Sequence, residues 1–154
     1  MEIHIEPFRP EQAAEFEALN RAWLSDQDLL EPADEPQLTD PVGEILEPGG
    51  HIVVAVRAGH VVGTCALAPH GPTTFELAKL AVAPDLQGQG IGRRLVEACL
   101  RLARESGRHR VVLLSNGRLV SALRLYERMG FERRPVPTDS PYATADIYME
   151  LELR

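Results

Sequence analysis

The hydrophobic pattern predicts β-strands at both ends of the chain, where apolar and polar residues alternate. Residues 2–6 show this alternation, and so do residues 145–153, with Ile147 and Met149 among the inward positions. Between these ends, short runs of β-branched and apolar residues, bounded by glycine and proline, indicate further strands. These strands are predicted at residues 51–56, 61–67, 73–82, 111–115 and 131–134.

Apolar residues at helical spacing predict helices between the strands. A first helix begins at Pro10, and a short one is predicted at residues 41–46, after prolines that interrupt the chain. A longer helix ends near Gly107, and the last covers residues 118–129. The order of elements, β-α-α-β-β-β-α-β-α-β-β, indicates one domain of the α/β or α+β class over residues 1–154.

The composition is that of a globular domain, and the charge argues against several functions. The chain has 154 residues, 44% hydrophobic and 25% charged. A chain of this length and composition can bury a core without disulfides or metals. Its net charge of −7 argues against binding to nucleic acid through a basic face. No apolar run reaches the roughly 18 residues that span a membrane, and the charged, alternating N-terminus is not a signal peptide.

The use of cysteine and histidine predicts a cytoplasmic protein without a metal site. Cys65 and Cys99 each lie in an apolar run, which indicates reduced core residues. The five histidines show no metal-ligand spacing. We therefore expect no metal, no nucleic-acid partner and no membrane partner.

The negative charge is concentrated in residues 26–47. This segment holds eight acidic residues and neither Lys nor Arg, so the net charge of −7 divides into −8 for the segment and +1 for the rest. Two interpretations stay open at this point. The segment is either a solvated loop or the source of an electrostatic field that attracts a cationic partner.

Three glycines lie between a predicted strand and the start of a predicted helix. Gly88, Gly90 and Gly92 allow the backbone to turn tightly and to approach an anion closely. The first amides of the helix have no partner within the helix and carry partial positive charge. Arg93 and Arg94 add full positive charges. The segment therefore predicts a pyrophosphate site.

Two other phosphate-binding motifs fit this segment poorly. A Walker A loop needs Lys-Ser/Thr after its last glycine, but Gly92 is followed by two arginines. A dinucleotide-binding fingerprint that began at Gly88 would need a glycine where Arg93 stands. A helix start that binds nothing is also disfavoured, because three spaced glycines lower helix propensity without a gain in stability.

Three segments carry a family resemblance. Residues 87–92, Gln-Gly-Gln-Gly-Ile-Gly, match the signature Gln/Arg-x-x-Gly-x-Gly/Ala. Residues 76–82 look like the strand that precedes this signature, and residues 122–131 look like a late helix that ends in Leu-Tyr-Glu-Lys-x-Gly-Phe. Together they resemble the GNAT superfamily of acetyl-CoA-dependent N-acetyltransferases. The resemblance implies a mixed, mostly antiparallel seven-stranded sheet with a V-shaped split, flanked by about four helices.

The resemblance also implies acetyl-CoA as cosubstrate and a set of residues that bind it. In the family, the strand before the signature offers backbone groups to the pantetheine arm, and the amides of the glycine turn hold the pyrophosphate. For Asn116, a helix cap and a cofactor contact both stay open. The implied cofactor-binding residues are Leu80, Ala81, Val82, Gln87, Gly88, Gln89, Gly90, Ile91, Gly92, Arg93 and Asn116.

Glu76 and Tyr126 are the implied catalytic residues. Glu76 stands where some members have a catalytic glutamate, and Tyr126 stands where the family has its usual general acid. On a regular strand Glu76 would share a face with Ala78, Leu80 and Val82, an apolar setting that raises a carboxyl pKa. An exposed glutamate at a strand end and a core tyrosine with a satisfied hydroxyl are the alternatives.

Two positions depart from the family pattern. Leu119 stands where many members have a cofactor-binding asparagine. Leu114 replaces a glutamate that serves as base in some members that acetylate proteins. The second departure weakens the interpretation as a ribosomal-protein acetylase and leaves Glu76 as the better candidate for the base.

The implied function is transfer of an acetyl group from acetyl-CoA to a primary amine by direct attack. The acceptor would be a small cationic amine, or a lysine or N-terminal amine of a peptide. No cysteine is placed to carry an acyl group. Residues 20–48 and 134–144 usually frame the acceptor site in the family, and a closed frame favours small amines. A non-catalytic acyl-CoA sensor or partner module is the alternative, and a homodimer stays open.

Overall fold

The computed structural model describes residues 2–153, which form a seven-stranded mixed sheet; Met1 and Arg154, the ends of the predicted domain, lie outside the described residues. The sheet has the spatial order β1-β2-β3-β4-β5-β7-β6. β4 and β5 are parallel, and the other neighbouring pairs are antiparallel. The strands are β1 (Ile3–Pro7), β2 (His51–Arg57), β3 (His60–Pro69), β4 (Thr74–Val82), β5 (Arg110–Ser115), β6 (Glu132–Arg134) and β7 (Ile147–Glu152). The predicted mixed, mostly antiparallel sheet is confirmed.

Four α-helices occur within residues 2–153: α1 (Ala13–Asp26), α2 (Glu35–Thr39), α3 (Ile91–Glu105) and α4 (Val120–Arg128). The short helix predicted at residues 41–46 is a π-helical turn, Val42–Leu46. The sequence analysis missed α2 because its proline looked like an interruption. Pro36 lies in the first turn of α2, where a proline has no helical hydrogen bond to lose. None of the described helices is long and apolar enough to cross a bilayer.

The described residues form hydrophobic clusters on both faces of the sheet. The larger cluster packs α3 and α4 against one face and includes Leu95 and Leu113. Cys65 and Cys99 are buried in it with free thiols, as predicted. The smaller cluster includes Phe16 of α1 and packs against the opposite face. The sheet is therefore covered on both sides, and a ligand reaches it only where strands separate.

β4 and β5 separate after a short stretch of pairing. Their described pairs extend from Thr74 opposite Arg110 to Glu76 opposite Val112. Beyond this point β4 continues to Val82 on the side of β3, and β5 continues on the side of β7. This divergence is the V-shaped split that the resemblance implies.

A β-bulge interrupts β4 at Lys79. Ala78 pairs with Ala66 of β3, and Ala81 pairs with Thr64, so β4 has one residue more than β3 between these pairs. Lys79 has a φ of +54°, in the left-handed region that side chains rarely adopt. An extra residue reverses the alternation of side chains along a strand.

The bulge corrects the expectation that Glu76 shares a face with Leu80 and Val82. Leu80 and Val82 pack against the larger cluster, on the α3 side. Glu76 and Ala78 precede the bulge and lie on the opposite face, the side of α1. The glutamate therefore faces a different set of neighbours from those that a regular strand predicts.

Candidate active site

A cavity lined by described residues lies where the glycine turn meets α4. We call it the glycine groove; it has a volume of about 440 Å³. Its walls come from the end of β4, residues 87–93 and α4. Of the predicted cofactor-binding residues, those that line it are Leu80, Ala81, Val82, Gln87, Gly88, Gly90, Ile91, Gly92 and Arg93.

The glycines leave the groove open in front of the first turn of α3. Gly88 and Gly90 have φ values of +80° and +81°, and a Cβ atom built on either would meet no atom within 4 Å. Gly90 is the residue immediately before α3, so the first amides of that helix face the opening without intrahelical partners. Gln87 fixes the turn by donating a hydrogen bond of 3.1 Å from Nε2 to the carbonyl oxygen of Val82.

The positive charges around the groove differ from those that the sequence suggested. Arg93 lines the groove, but Arg94 turns away and donates to the carbonyl oxygen of Ile3 at 3.0 Å. Arg118 and Arg128, which the sequence analysis did not single out, line the groove from α4 and the turn before it. They belong to a segment distant in sequence from the glycine turn, so local spacing gave no signal for them.

A second cavity, of about 120 Å³, lies between β4, β5, the end of α1 and residues 142–145. We call it the deep pocket. Leu80 and Tyr126 line both cavities, as do Trp23 and Leu119. The two cavities therefore meet at these side chains, inside the split between β4 and β5.

Glu76 lines the deep pocket and is half-buried. Its neighbours on the adjacent strands are Ala68 and Val112, both apolar. Burial raises the pKa of the Glu76 carboxyl, and the charges of His70 and Lys79 offset part of this rise. The environment thus agrees with the predicted rise, although the bulge changes which neighbours produce it.

Tyr126 is buried on α4 at the junction of the two cavities. Its ring packs edge-on against Phe131, with 5.8 Å between the ring centroids. Burial, with a smaller contribution from Cys65, raises the pKa of the phenol well above its usual range. The hydroxyl therefore stays protonated at the point where the cavities meet.

Two predicted cofactor residues lie outside the groove lining. Gln89 is exposed on the glycine turn. Asn116 lines the deep pocket instead, where its Nδ2 donates to the carbonyl oxygen of Thr144 at 2.7 Å and its Oδ1 accepts from the amide of Arg118 at 2.9 Å. It is not the N-cap of α4, because Leu119 occupies that position. Asn116 therefore ties the end of β5 to the loop after residue 141.

Three of the eight acids in the acidic segment, Glu31, Asp34 and Glu35, are bound to other parts of the fold. The other five are exposed, so the electrostatic interpretation of the segment stays a prediction. Glu35 forms an ion pair of 2.7 Å with Arg21 of α1. Asp34 is buried and pairs with Lys79 at 2.8 Å. Neither partner could be found from the segment itself, because both cations come from elsewhere in the chain.

Glu31 joins the acidic segment to the loop that follows β6. Its carboxylate accepts hydrogen bonds from the amide of Ala143 at 2.7 Å, from the amide of Thr144 at 3.1 Å, and from the Thr144 hydroxyl. Burial alone would raise the pKa of the Glu31 carboxyl. The hydrogen bonds from Thr144 and Ala143 together outweigh burial, so the pKa lies below its usual value. Glu31 therefore joins two segments that border the deep pocket, which remains partly open to solvent.

Comparisons with known proteins agree with this architecture. A sequence model of the acetyltransferase (GNAT) domain matches residues 48–133. Rat (Rattus norvegicus) N-acetyltransferase family 8 member 2 is 33% identical over 116 residues, which cover 72% of this chain and 51% of the rat protein. Mycothiol acetyltransferase from Rhodococcus opacus (strain B4) is 43% identical over 74 residues, which cover 48% of this chain and 24% of that protein.

A solved structure extends the match to the whole fold. An acetyltransferase from Salmonella typhimurium, determined with acetyl-CoA, superposes with a TM-score of 0.80 at 19% identity, covering 99% of this chain and 94% of that one. The chain belongs to the GNAT acetyltransferase family. It spans about half of the rat relative and about a quarter of the Rhodococcus one.

Proposed function

We propose that the protein transfers the acetyl group of acetyl-CoA to the primary amine of a small acceptor. The observation that carries this proposal is the meeting of the two cavities at Tyr126. One cavity suits an extended anionic donor, and the other holds the half-buried carboxylate of Glu76. Family membership and the similar structure with bound acetyl-CoA support the choice of donor.

The glycine groove would hold the donor. The amides before and within the first turn of α3 suit a pyrophosphate, and Arg93, Arg118 and Arg128 add positive charge. The pantetheine arm would lie along β4 at Leu80 and beyond, where the strand has left β5 and its backbone groups are free on that side. The thioester then reaches the junction of the two cavities.

Glu76 and Tyr126 would supply the proton transfers. An alkylammonium has a pKa near 10.4, so a base must take a proton before nitrogen can attack the thioester carbon. Glu76, whose pKa is raised, accepts that proton. The carbon–nitrogen bond forms, the carbon–sulfur bond breaks, and Tyr126 donates its proton to the leaving thiolate. The acylated nitrogen then loses its second proton, which restores the Tyr126 phenol, and Glu76 releases the first proton to solvent. The products are an acetamide and free CoA.

The bridged segments beside the deep pocket and its small volume favour small acceptors over peptides. Glu31 bridges the two segments that frame the acceptor site, and Asn116 fixes the same loop from the other side. A peptide would need an open groove between these segments. An amine with a compact body needs only the cavity that is present.

A free-thiol assay tests the proposal. We expect acetyl-CoA to release CoA in the presence of small primary amines, at a rate well above its release with lysine-bearing peptides. Calorimetry with CoA provides an independent measure of donor binding. Donor binding without thiol release from any amine or peptide would replace this proposal with a non-catalytic acyl-CoA-binding module.

A further inference from the structure

The deep pocket contains a buried cation that the proposed chemistry does not use. The Lys79 ammonium lies 2.8 Å from Asp34 Oδ1, and the side chains are 5% and 4% exposed. A buried ion pair rarely gains stability over apolar residues of similar volume, because both charges lose their hydration. Its presence in the wall of a binding pocket points to a role in ligand selection.

The surrounding structure fixes Lys79 on the bulge. The carbonyl oxygen of Lys79 accepts a hydrogen bond of 2.8 Å from the Thr64 hydroxyl, and Thr64 Oγ1 accepts one of 3.0 Å from Asn20 Nδ2. The ammonium lies 5.6 Å from the centroid of the Tyr142 ring. The contacts from α1 and β3 therefore fix the backbone at the bulge, while Asp34 and the Tyr142 ring surround the ammonium.

Asp34 is held equally firmly. Its second carboxylate oxygen, Oδ2, accepts a hydrogen bond of 2.9 Å from the amide of Glu31. The pair therefore keeps one orientation, with the ammonium at the pocket wall. A ligand that carried a second positive charge would have to place it beside Lys79 without a free carboxylate to receive it.

The charge balance of the pocket indicates what it accepts. Its ionisable lining groups among the described residues are Asp34, Glu76, Lys79, Tyr126 and Tyr142. Burial raises the pKa of both tyrosines, so they stay neutral. With the ion pair neutral overall, the ionised Glu76 leaves one negative charge, which one ammonium balances. The remaining wall combines polar groups of Asn20, Ser115, Asn116 and Thr144 with a larger apolar part that includes Trp23, Leu24, Leu29, Leu77, Leu114 and Leu119.

We infer that the acceptor is a monoamine with a compact apolar body, and that the Lys79–Asp34 pair excludes diamines and polyamines. This inference rests on the proposed function and narrows its acceptor class. A second ammonium would have to lose its hydration beside a fixed positive charge, whereas an alkyl or aromatic group of the same length contacts leucine and tryptophan.

Matched amines test the inference on the unmodified protein. Pentylamine and 1,5-diaminopentane have the same chain length and differ by one terminal amine. We expect kcat/KM for pentylamine to exceed that for the diamine by at least tenfold. We also expect calorimetry to give pentylamine a Kd for the CoA-bound protein that is lower than that of the diamine by a similar factor. Equal values for the two amines would overturn the inference.

A double substitution then tests the ion pair itself. Lys79→Met with Asp34→Asn removes both charges and leaves neither one unpaired, and the side-chain oxygen at position 34 can still accept from the backbone amide of Glu31. We expect the preference for pentylamine to fall at least threefold. The matched control is Arg21→Met with Glu35→Gln, which removes a more exposed ion pair outside the pocket lining and should leave the preference unchanged.

The possible failures are distinguishable. An unchanged preference in the folded double variant, judged by circular dichroism, overturns the role of the ion pair. If the double variant does not fold, the comparison of amines on the unmodified protein still decides the acceptor class. If CoA binds but no amine releases thiol, the proposed function fails, and the calorimetric comparison of the two amines decides the inference alone.

Discussion

The glycine groove and the deep pocket meet at Tyr126 but are built from different chemical groups. One wall of the groove comes from one continuous stretch, residues 80–93, and the facing wall comes from residues 118–128 with Trp23 and Gln27. The deep pocket is formed by side chains from α1, the acidic segment, β4, β5 and the loop near Tyr142. Donor binding should therefore depend on backbone shape, and acceptor choice on a few buried charges.

The sharpest test of the comparison is Glu76→Gln. We expect kcat to fall about 10²–10⁴-fold, the usual contribution of general acid–base catalysis, while the Kd of CoA stays within twofold. The rate should recover partly at high pH, because the free-base fraction of the amine increases. Glu47→Gln, an exposed position in the acidic segment, is the control and should retain full activity.

Glu76→Gln should also change the pH dependence of Tm. The pKa of Glu76 is raised in the folded protein, so its ionisation opposes folding as pH rises through that pKa. Glutamine removes this penalty, and we expect the Tm of the variant at pH 7–8 to be at least that of the parent. A lower Tm with an unchanged rate would show that Glu76 has a packing role and that another group is the base. The rate of the parent should fall on the acid side at a higher pH than an ordinary glutamate would cause.

Tyr126→Phe should reduce kcat by about 10²-fold or more, because the leaving thiolate loses its proton donor. CoA affinity should change by less than twofold, since the ring and its contact with Phe131 remain. Tyr148→Phe removes a hydroxyl that donates to Glu150 outside both cavities and serves as the matched control. A full rate in Tyr126→Phe would assign the tyrosine to the core.

Gly90→Asp should weaken CoA binding by about tenfold or more, since one charge-assisted hydrogen bond contributes about 1.5–3 kcal/mol. The carboxylate would point at the position proposed for the pyrophosphate, and the rise in Tm that CoA produces should become smaller at the same CoA concentration. Gly107→Asp is the control: Gly107 has nearly the same φ, +79°, and the same open space, but it lies past the other end of α3. A normal CoA shift in folded Gly90→Asp would exclude the groove as the pyrophosphate site.

The smallest expected effect is that of Glu31→Gln. The substitution removes one carboxylate oxygen that accepts hydrogen bonds. We expect the KM of the amine substrate to rise about two- to tenfold, which corresponds to the loss of one hydrogen bond of about 0.5–1.5 kcal/mol. The Kd of CoA should not change. Because the net shift of the Glu31 pKa is downward, the stabilisation it gives is present above its unfolded pKa and is lost as pH falls through the folded value. An effect on CoA binding of equal size would contradict the separation of the two sites.

The sequence predicted the groove better than the pocket for a physical reason. The wall of the groove around the glycine turn depends on neighbouring residues in one strand, turn and helix, so its pattern lies within a few positions. The pocket depends on contacts such as Lys79 with Asp34, 45 residues apart, and Thr144 with Glu31, 113 residues apart. Such pairs have no local pattern, and a single chain offers no means of matching them.

Two local features also escaped the sequence analysis. The bulge in β4 places Lys79 at a positive φ, which a glycine would have signalled but a lysine does not. The helix α2 is short and contains Pro36, so its proline was taken as a break. The strand at residues 73–82 was placed correctly within one residue, yet its faces could not be assigned beyond the bulge.

The split between β4 and β5 affects how readily the protein aggregates without its cosubstrate. It leaves two strand edges in the middle of the sheet, where the described residues of β4 pair on one side with β3 and those of β5 pair with β7. An unpaired strand edge can form hydrogen bonds with another extended chain. Such edges usually lie at the rim of a sheet, whereas these two lie inside it. In the proposed complex the pantetheine arm covers the edge of β4. The cosubstrate would then protect the protein from aggregation as well as supply the acetyl group.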